Sequence, residues 1–370
     1  MSAPLAGLKV IELARILAGP WIGQTLSDLG ADVTKIESPE GDDTRKWGPP
    51  FVDHEDDRSA AYFHCANRGK NCRAIDFNDA EQLEELIKLI AEADVLIENF
   101  KVGGLRKFGL DYEALQKLNP RLIYCSVTGF GQTGPYAARA GYDFLIQGMS
   151  GIMDLTGTPE GEPQKIGVAF ADIFAGLYGV VGIQAALADR MKTGLGQQVD
   201  ISLFDCMTGV LANQAMNYLA SGTTPTRLGN AHPNIVPYQT FAVADGHIIV
   251  ACGNDRQFQA LCTTLNAGAI ADDPAYATNP ARVEHREALT AELSVKFLQR
   301  TKLELLEALE SAVVPAGPIN SVKEALADPQ IQHRGMQISP EGVPGLRTPI
   351  TFSRSQLELN RASPPRPKML

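Results

Sequence analysis

LKVIELARILAGPWIGQTLSDLGADVTKIES, residues 8–38, sets the pattern for the first half of the chain. LKVIEL (8–13) is a mostly apolar run of strand length. WIGQTLSDLG (21–30) spaces its apolar side chains along one helix face and stops at Gly30, and ADVTKIES (31–38) is a second strand. The alternation continues. CRAIDF (72–77) reads as a strand, AEQLEELIKLIAEA (80–93) as a helix, ADVLIENF (93–100) as a strand, DYEALQKLN (111–119) as a helix and RLIYCSVTGF (121–130) as a strand. Strands alternating with helices predict an α/β fold with a parallel sheet covered by helices. Residues 39–60 between them read as irregular.

A first strand–turn–helix of this kind often binds a dinucleotide, and Glu37 stands where a ribose-binding acid would sit. The turn ARILAGP, however, carries one glycine instead of the three that let a backbone approach a pyrophosphate. Nicotinamide or flavin binding is therefore not expected. Pro20 is read as a helix-starting proline.

Beyond residue 130, IFAGLYGVVGIQAALADRMKTG (173–194) is apolar nearly all round at first and reads as a buried helix closed by Gly194. Glycines three residues apart in GLYGVVG fit close helix packing. QQVDISLFD (197–205) returns to a strand, and SGTTPTRLGNAHPNIVP (221–237) is dense in Gly, Pro, Asn and Thr, a loop or hinge. HIIVACG (247–253) is a strand, 255–312 is largely helical, and VPAGPINSV (314–322) reads as a turn. The residues alone thus suggest a larger α/β domain to about 220, a smaller one over about 225–320, and a tail that joins either.

The chain has 370 residues, 44% of them hydrophobic and 21% charged, with a formal net charge of -10. The acidic balance without a Lys/Arg run argues against nucleic-acid binding. No apolar run is read as long enough to span a membrane, and MSAPLAGLKVIELA lacks a basic start and a cleavable apolar stretch. Six cysteines without CxxC spacing fit a reducing compartment, so a cytoplasmic location is expected. The scattered histidines, His232 among them, form no metal motif, and no hydrolase signature occurs.

Two features remain. NRGKN (67–71) sets Arg68 and Lys70 beside a glycine. The pair is either ordinary solvated charge or an anion cradle, and RKFG (106–109), with Lys107, is similar. GVAFADIFAGLYG (167–179) holds one carboxylate, Asp172, inside an apolar run. Its position suits a helix N-cap, which would hold it ionised through N–H donors and the helix dipole. An ionised carboxylate there is also a potential nucleophile toward acyl groups.

Taken in order, PLAGLKVIELARILAGP (4–20), LGADVTKIESPEGDDTRKWGPPF (29–51), NRGKN (67–71), DVLIENF (94–100), GYDFLIQGMSGIMDLTG (141–157), VAFADIFAGLYG (168–179), KTGLGQQVDISLFD (192–205), HPNIVPYQTF (232–241) and VPAGPINSVKEALADPQIQHRGM (314–336) resemble the class III CoA-transferases, the formyl-CoA and carnitine CoA-transferase group, almost end to end. The resemblance implies a Rossmann-like large domain, 1–220 plus about 325–370, with a small domain over about 225–320, in an interlocked homodimer. It implies acyl-CoA and a free carboxylic acid as substrates, with no permanently bound cofactor. It makes Asp172 the nucleophile, passing through a mixed anhydride and an enzyme–CoA thioester. It further implies CoA contacts at Arg15, Ile16, Leu17, Ala18, Arg68, Lys70, Asn99, Phe100 and Lys107. Tyr142 and Asp143 would flank the nucleophile, and a loop near 227–236 with Gly229, Asn230 and His232 would lie near the site. The chain departs from formyl-CoA transferases at Ser38 and Ala140, where those have basic residues, and in the loop GNAHPNIVP, so a different acid pair is expected. Succinyl-CoA is the expected donor. Alternatives are a 2-methylacyl-CoA racemase, disfavoured because GYD puts Tyr142 where racemases carry a histidine base, and a non-catalytic CoA-binding protein.

Overall fold

A computed structural model describes residues 2–367. The chain divides into two compact units. The first takes Met1–Met153, Lys165–Thr223 and Pro329–Leu370, and the second takes Asp154–Gln164 and Thr224–Asp328.

In the first unit, β1 (Lys9–Glu12) and β2 (Asp32–Glu37) form as the opening stretch predicts, while α1 (Ala18–Asp28) starts three residues earlier than expected, with Pro20 third in it rather than first. They are followed by β3 (Asn71–Ala74), α2 (Ala80–Ala91), β4 (Val95–Glu98), α3 (Tyr112–Leu118), β5 (Ile123–Thr128), α4 (Asp143–Met149), α5 (Phe170–Thr193) and β6 (Gln198–Ser202). The six strands make one sheet in the order β3-β2-β1-β4-β5-β6, and every pairing is parallel. That is the doubly wound order, which reverses direction between β1 and β4.

The central strands β1, β4 and β5 are mostly apolar because both faces are covered. Val10, Val95, Ile97, Ile123 and Cys125 point into one core with Ile22 and Leu26 of α1 and Ala175 and Ile183 of α5. Their neighbours Ile11, Leu96 and Tyr124 point into the other, with Leu86 and Ile90 of α2 and Leu115 of α3. The two-residue period of a strand divides one sequence run between two helix layers. Residues 39–60, expected to be irregular, contain a short hairpin, Phe51–His54 against Asp57–Ala60, whose polar strands carry no apolar alternation to reveal them.

Helix α5 starts earlier than the sequence suggests. Its N-cap is Ala169, with no side-chain cap, and Asp172 is the third helical residue. The N-cap reading of Asp172 is therefore corrected. At the other end Gly194, with φ of 76°, closes the helix as expected. By length and composition α5 is apolar enough to cross a membrane: an 18-residue window has mean hydropathy 1.6, and 33% of it is buried. This corrects the expectation that no run reaches spanning length. Its glycines serve close packing. A Cβ at Gly176 would lie 2.9 Å from Trp21 Cδ1, and one at Gly179 would overlap Ile22 of α1.

The second unit holds β7 (Tyr238–Val243), β8 (Gly246–Ala251) and β9 (Ala316–Pro318) in an antiparallel sheet ordered β9-β8-β7. Its own core gathers Phe241, Phe258, Leu261, Leu289, Leu293, Phe297 and Leu305. β9 occupies the stretch expected to be a turn. Pro318, at its last position on an edge strand, is where a sheet tolerates proline.

Candidate active site

The chain leaves β1 toward α1 and leaves β4 the other way, which opens a crevice at the carboxyl ends of the strands. A cavity of about 270 Å³ lies there. Arg15, Ile16, Leu17 and Ala18 follow β1, Asn99, Phe100, Lys101 and Val102 follow β4, and Thr128 and Gly129 end β5. Arg139 and Tyr142 approach from the segment leading into α4, and Asp172 comes from the first turn of α5. Asp172 is the one carboxylate among the described lining residues.

The loop after β1 is held rigidly. Asn99 Oδ1 accepts from Arg15 N–H at 2.9 Å, and Asn99 Nδ2 donates to Arg15 O at 2.7 Å. The next residue, Ile16, has φ of 72°, a left-handed conformation that a β-branched residue rarely adopts. Such strain persists where the surroundings over-determine the backbone, and it clusters at functional sites. Asn99 thus spends its amide on the loop that shapes the cavity.

Asp172 is half-buried, and burial is the main reason its carboxyl is pushed up to about 7, with the charge of Asp143 adding to the effect. This overturns the expectation of a carboxylate held ionised by a cap. The cap comes instead from α4: Asp143 Oδ1 accepts from Ala171 N–H at 2.8 Å, the amide next to Asp172. Asp143 Oδ2 accepts from Gln147 Nε2 at 2.7 Å. Tyr62 faces both carboxylates, and its phenol is pushed up to about 12 by burial first and then by Asp172. The cavity also receives three cations. Arg15 pairs with Asp43 at 3.0 Å, both half exposed, while Arg139 lies over the Tyr136 ring at 4.5 Å and Lys101 is exposed.

Arg15, Ile16, Leu17, Ala18, Asn99, Phe100, Tyr142 and Asp172 therefore come together, with Asp143 directly behind. Arg68 and Lys70 do not, which corrects both the solvated reading and the phosphate reading. Arg68 is 4% exposed and forks onto Asp28 at 3.1 and 2.6 Å. Lys70 is 1% exposed and donates to Glu12, Pro20 O and Asn67, each within 2.9 Å. Buried charges persist only when paired, and these stitch the 67–71 turn to β1 and α1. Burial pulls the Lys70 ammonium down to about 8. Lys107 is exposed, lies outside the cavity lining and sits over its neighbour Phe108 at 4.5 Å.

Gly229, Asn230 and His232 belong to the second unit. Gly229 N–H donates to Gly157 O, Asn230 donates to Thr240, and the His232 ring lies 5.1 Å from Tyr238. Among the described residues no group of three or more His, Cys, Asp or Glu is placed to hold a metal. Lys101, Thr128, Gly129 and Arg139 line the cavity without having been singled out from sequence. The first three follow or end strands at the switch point, a positional signal that could have found them. Arg139 gives none.

The family model for CoA-transferase family III matches residues 5–367. The chain is 56% identical to a succinate–glutarate CoA-transferase of Agrobacterium fabrum, over 98% of this chain and 92% of that one. It is 40% identical to the succinyl-CoA:glutarate CoA-transferase of Homo sapiens, over 98% of this chain and 83% of that one. Among solved structures it superposes on a CAIB/BAIF family protein from Brucella suis with TM-score 0.89 and 65% identity, covering 98% and 96% of the two chains. With its doubly wound sheet and its acid-bearing crevice, the chain belongs to CoA-transferase family III.

Proposed function

We propose that this CoA-transferase moves CoA from succinyl-CoA to a dicarboxylic acid of about glutarate's length, with Asp172 as covalent nucleophile. The observation that carries the proposal is the single carboxylate in a crevice otherwise lined by apolar side chains, backbone, cations and the neutral polar Asn99, Thr128 and Tyr142. An Asp172 oxygen attacks the thioester carbonyl, the C–S bond breaks, and CoA leaves as thiolate from a mixed anhydride. The thiolate then attacks the Asp172 carbonyl, and the donor acid leaves as carboxylate. The acceptor carboxylate attacks the resulting enzyme thioester to form its own anhydride. The returning thiolate takes the acceptor acyl group and frees Asp172. Covalent capture splits one difficult exchange into easier steps. The apolar side chains of Ile16, Leu17, Phe100, Val127 and Leu203 limit water at the anhydride. Arg15, Lys101 and Arg139 supply positive charge for a substrate anionic at both ends. The names of the relatives support the choice of acids.

The test is to incubate the protein with succinyl-CoA, trap with hydroxylamine and map the modified peptide by mass spectrometry. A panel of dicarboxylic acids of four to six carbons is then tried as acceptors. The expected adduct is on Asp172. An unmodified Asp172, together with a transferase-competent Asp172→Asn variant, would overturn the mechanism.

A further inference from the structure

Gln147 is fully buried at the heart of α4, and its polar atoms are all engaged. Its Nε2 donates to Asp143 Oδ2 at 2.7 Å and lies 3.4 Å from Val168 O, while its Oε1 accepts from Ile166 N–H at 2.9 Å. These contacts fall where the chain re-enters the first unit after Asp154–Gln164, just before α5 begins. The amide therefore clips the segment entering α5 to α4. It also holds the carboxylate that caps the Ala171 N–H beside Asp172. We infer that Gln147 is a positioning residue for the transferase reaction: through Asp143 and the 166–168 backbone it fixes where the Asp172 carboxylate points. This rests on Asp172 being the nucleophile.

The amide is the one neutral side chain of its length that gives Asp143 a donor and Ile166 an acceptor together. A carboxylic acid at position 147 would do the same while protonated and would fail once ionised. The titratable and charged groups around it are Asp143 on α4, Asp172 on α5, Lys165 next to Ile166, and Tyr62 and Cys65 from the segment before β3. Arg15, Lys101 and Arg139 face the same cavity. In the Gln147→Glu variant, ionisation of the new carboxyl would set a second negative charge against Asp143, so the substitution has its own pH signature.

The experiment compares wild type, Gln147→Leu and Gln147→Glu in steady-state kinetics with succinyl-CoA and in hydroxylamine trapping, from pH 5.5 to 9. Gln147→Leu should lower kcat by about 10- to 100-fold, the cost of displacing a reacting group by about an ångström. The KM for succinyl-CoA should stay within about threefold, because the amide does not line the cavity. Gln147→Glu should recover most of kcat at the acidic end and lose it through an added alkaline limb that wild type lacks. Equal falls in folded fraction and activity, with kcat per folded enzyme and pH profile unchanged in both variants, would overturn the assignment and leave Gln147 a packing residue. Failure of wild type itself to form the Asp172 adduct would sink the nucleophile and this inference together. An Asp172 adduct in wild type that forms as fast in Gln147→Leu would sink the inference alone.

Discussion

Asp172 keeps its proton to about pH 7 because burial disfavours the carboxylate and Asp143 adds like charge. A nucleophile must be ionised, so kcat/KM should fall about tenfold per pH unit below 7 and level off above it. The stability consequence has a definite sign. The folded-state pKa lies above the ordinary value of 3.8, so from about pH 4 to 7 the folded protein holds a proton that the unfolded chain has lost. Stability from this group therefore falls as pH rises through that window. Asp172→Asn removes the cost. It should match or exceed wild type in Tm at pH 8 while losing at least about 10³ in kcat, as removal of a nucleophile does. Thermal melts at pH 5 and pH 8 beside a CoA-transfer assay check both halves, and a lower Tm at pH 8 would contradict the electrostatics. Ile16 shows the same exchange of stability for function in the backbone. Its φ of 72° costs about 1–3 kcal/mol. Ile16→Gly should raise Tm yet lower kcat/KM about tenfold, because the relaxed loop no longer fixes the crevice wall. A glycine variant with unchanged kinetics would show that the strain is idle.

At the scale of elements, the sheet was legible because its central parallel strands, buried on both faces, must be mostly apolar, as 8–13 and the core of 93–100 are, and because helices alternate with them. The start of α5 was not. Its cap is the Asp143 carboxylate, 28 residues before Ala171, and no local pattern reports a donor–acceptor pair made across the fold. Arg68 and Lys70 were misread for the same reason. Charges beside a glycine look exposed until Asp28 and Glu12, 40 and 58 residues away, are seen to neutralise them. The asparagine clamp on Arg15 was equally hidden, although its products, Arg15–Ala18 and Asn99, were found through family resemblance. The small-residue spacing of α5 was readable, and it has a measurable consequence. Gly179 lies against Ile22 where a side chain has no room. Gly179→Val should thus force α1 and α5 apart and cost about 1–3 kcal/mol, seen as a lower denaturant midpoint. Met191→Ala, at an exposed position near the end of the same helix, should leave the midpoint nearly unchanged.

For the whole molecule, the exposed side of α5 poses the remaining physical question. Ala171, Ala175, Gly179, Ile183 and Ala186 face the core, yet Leu177, Tyr178 and Val181 face outward. Phe144 and Leu145 of α4 and Met216 and Leu219 of the helix Ala212–Ser221 add further exposed apolar side chains. Lipid could cover such a surface, since α5 has the length and hydropathy of a span. But its other face is sealed onto the sheet by the core that includes Ala175 and Ile183. Drawing it into a bilayer would empty that core at about 25 cal/mol for each Å² of apolar surface exposed. A second copy of the chain would cover the same face without disturbing the sheet, and obligate homodimers bury apolar surface of this kind. The expected particle in light scattering at micromolar concentration, without detergent, has twice the chain mass of 39.8 kDa. Leu177→Glu with Val181→Glu should shift it toward the monomer or into aggregates and abolish transfer, because each charge would have to be buried unpaired at the contact. A wild-type monomer would refute the dimer, and a protein soluble only in detergent would return the face to lipid.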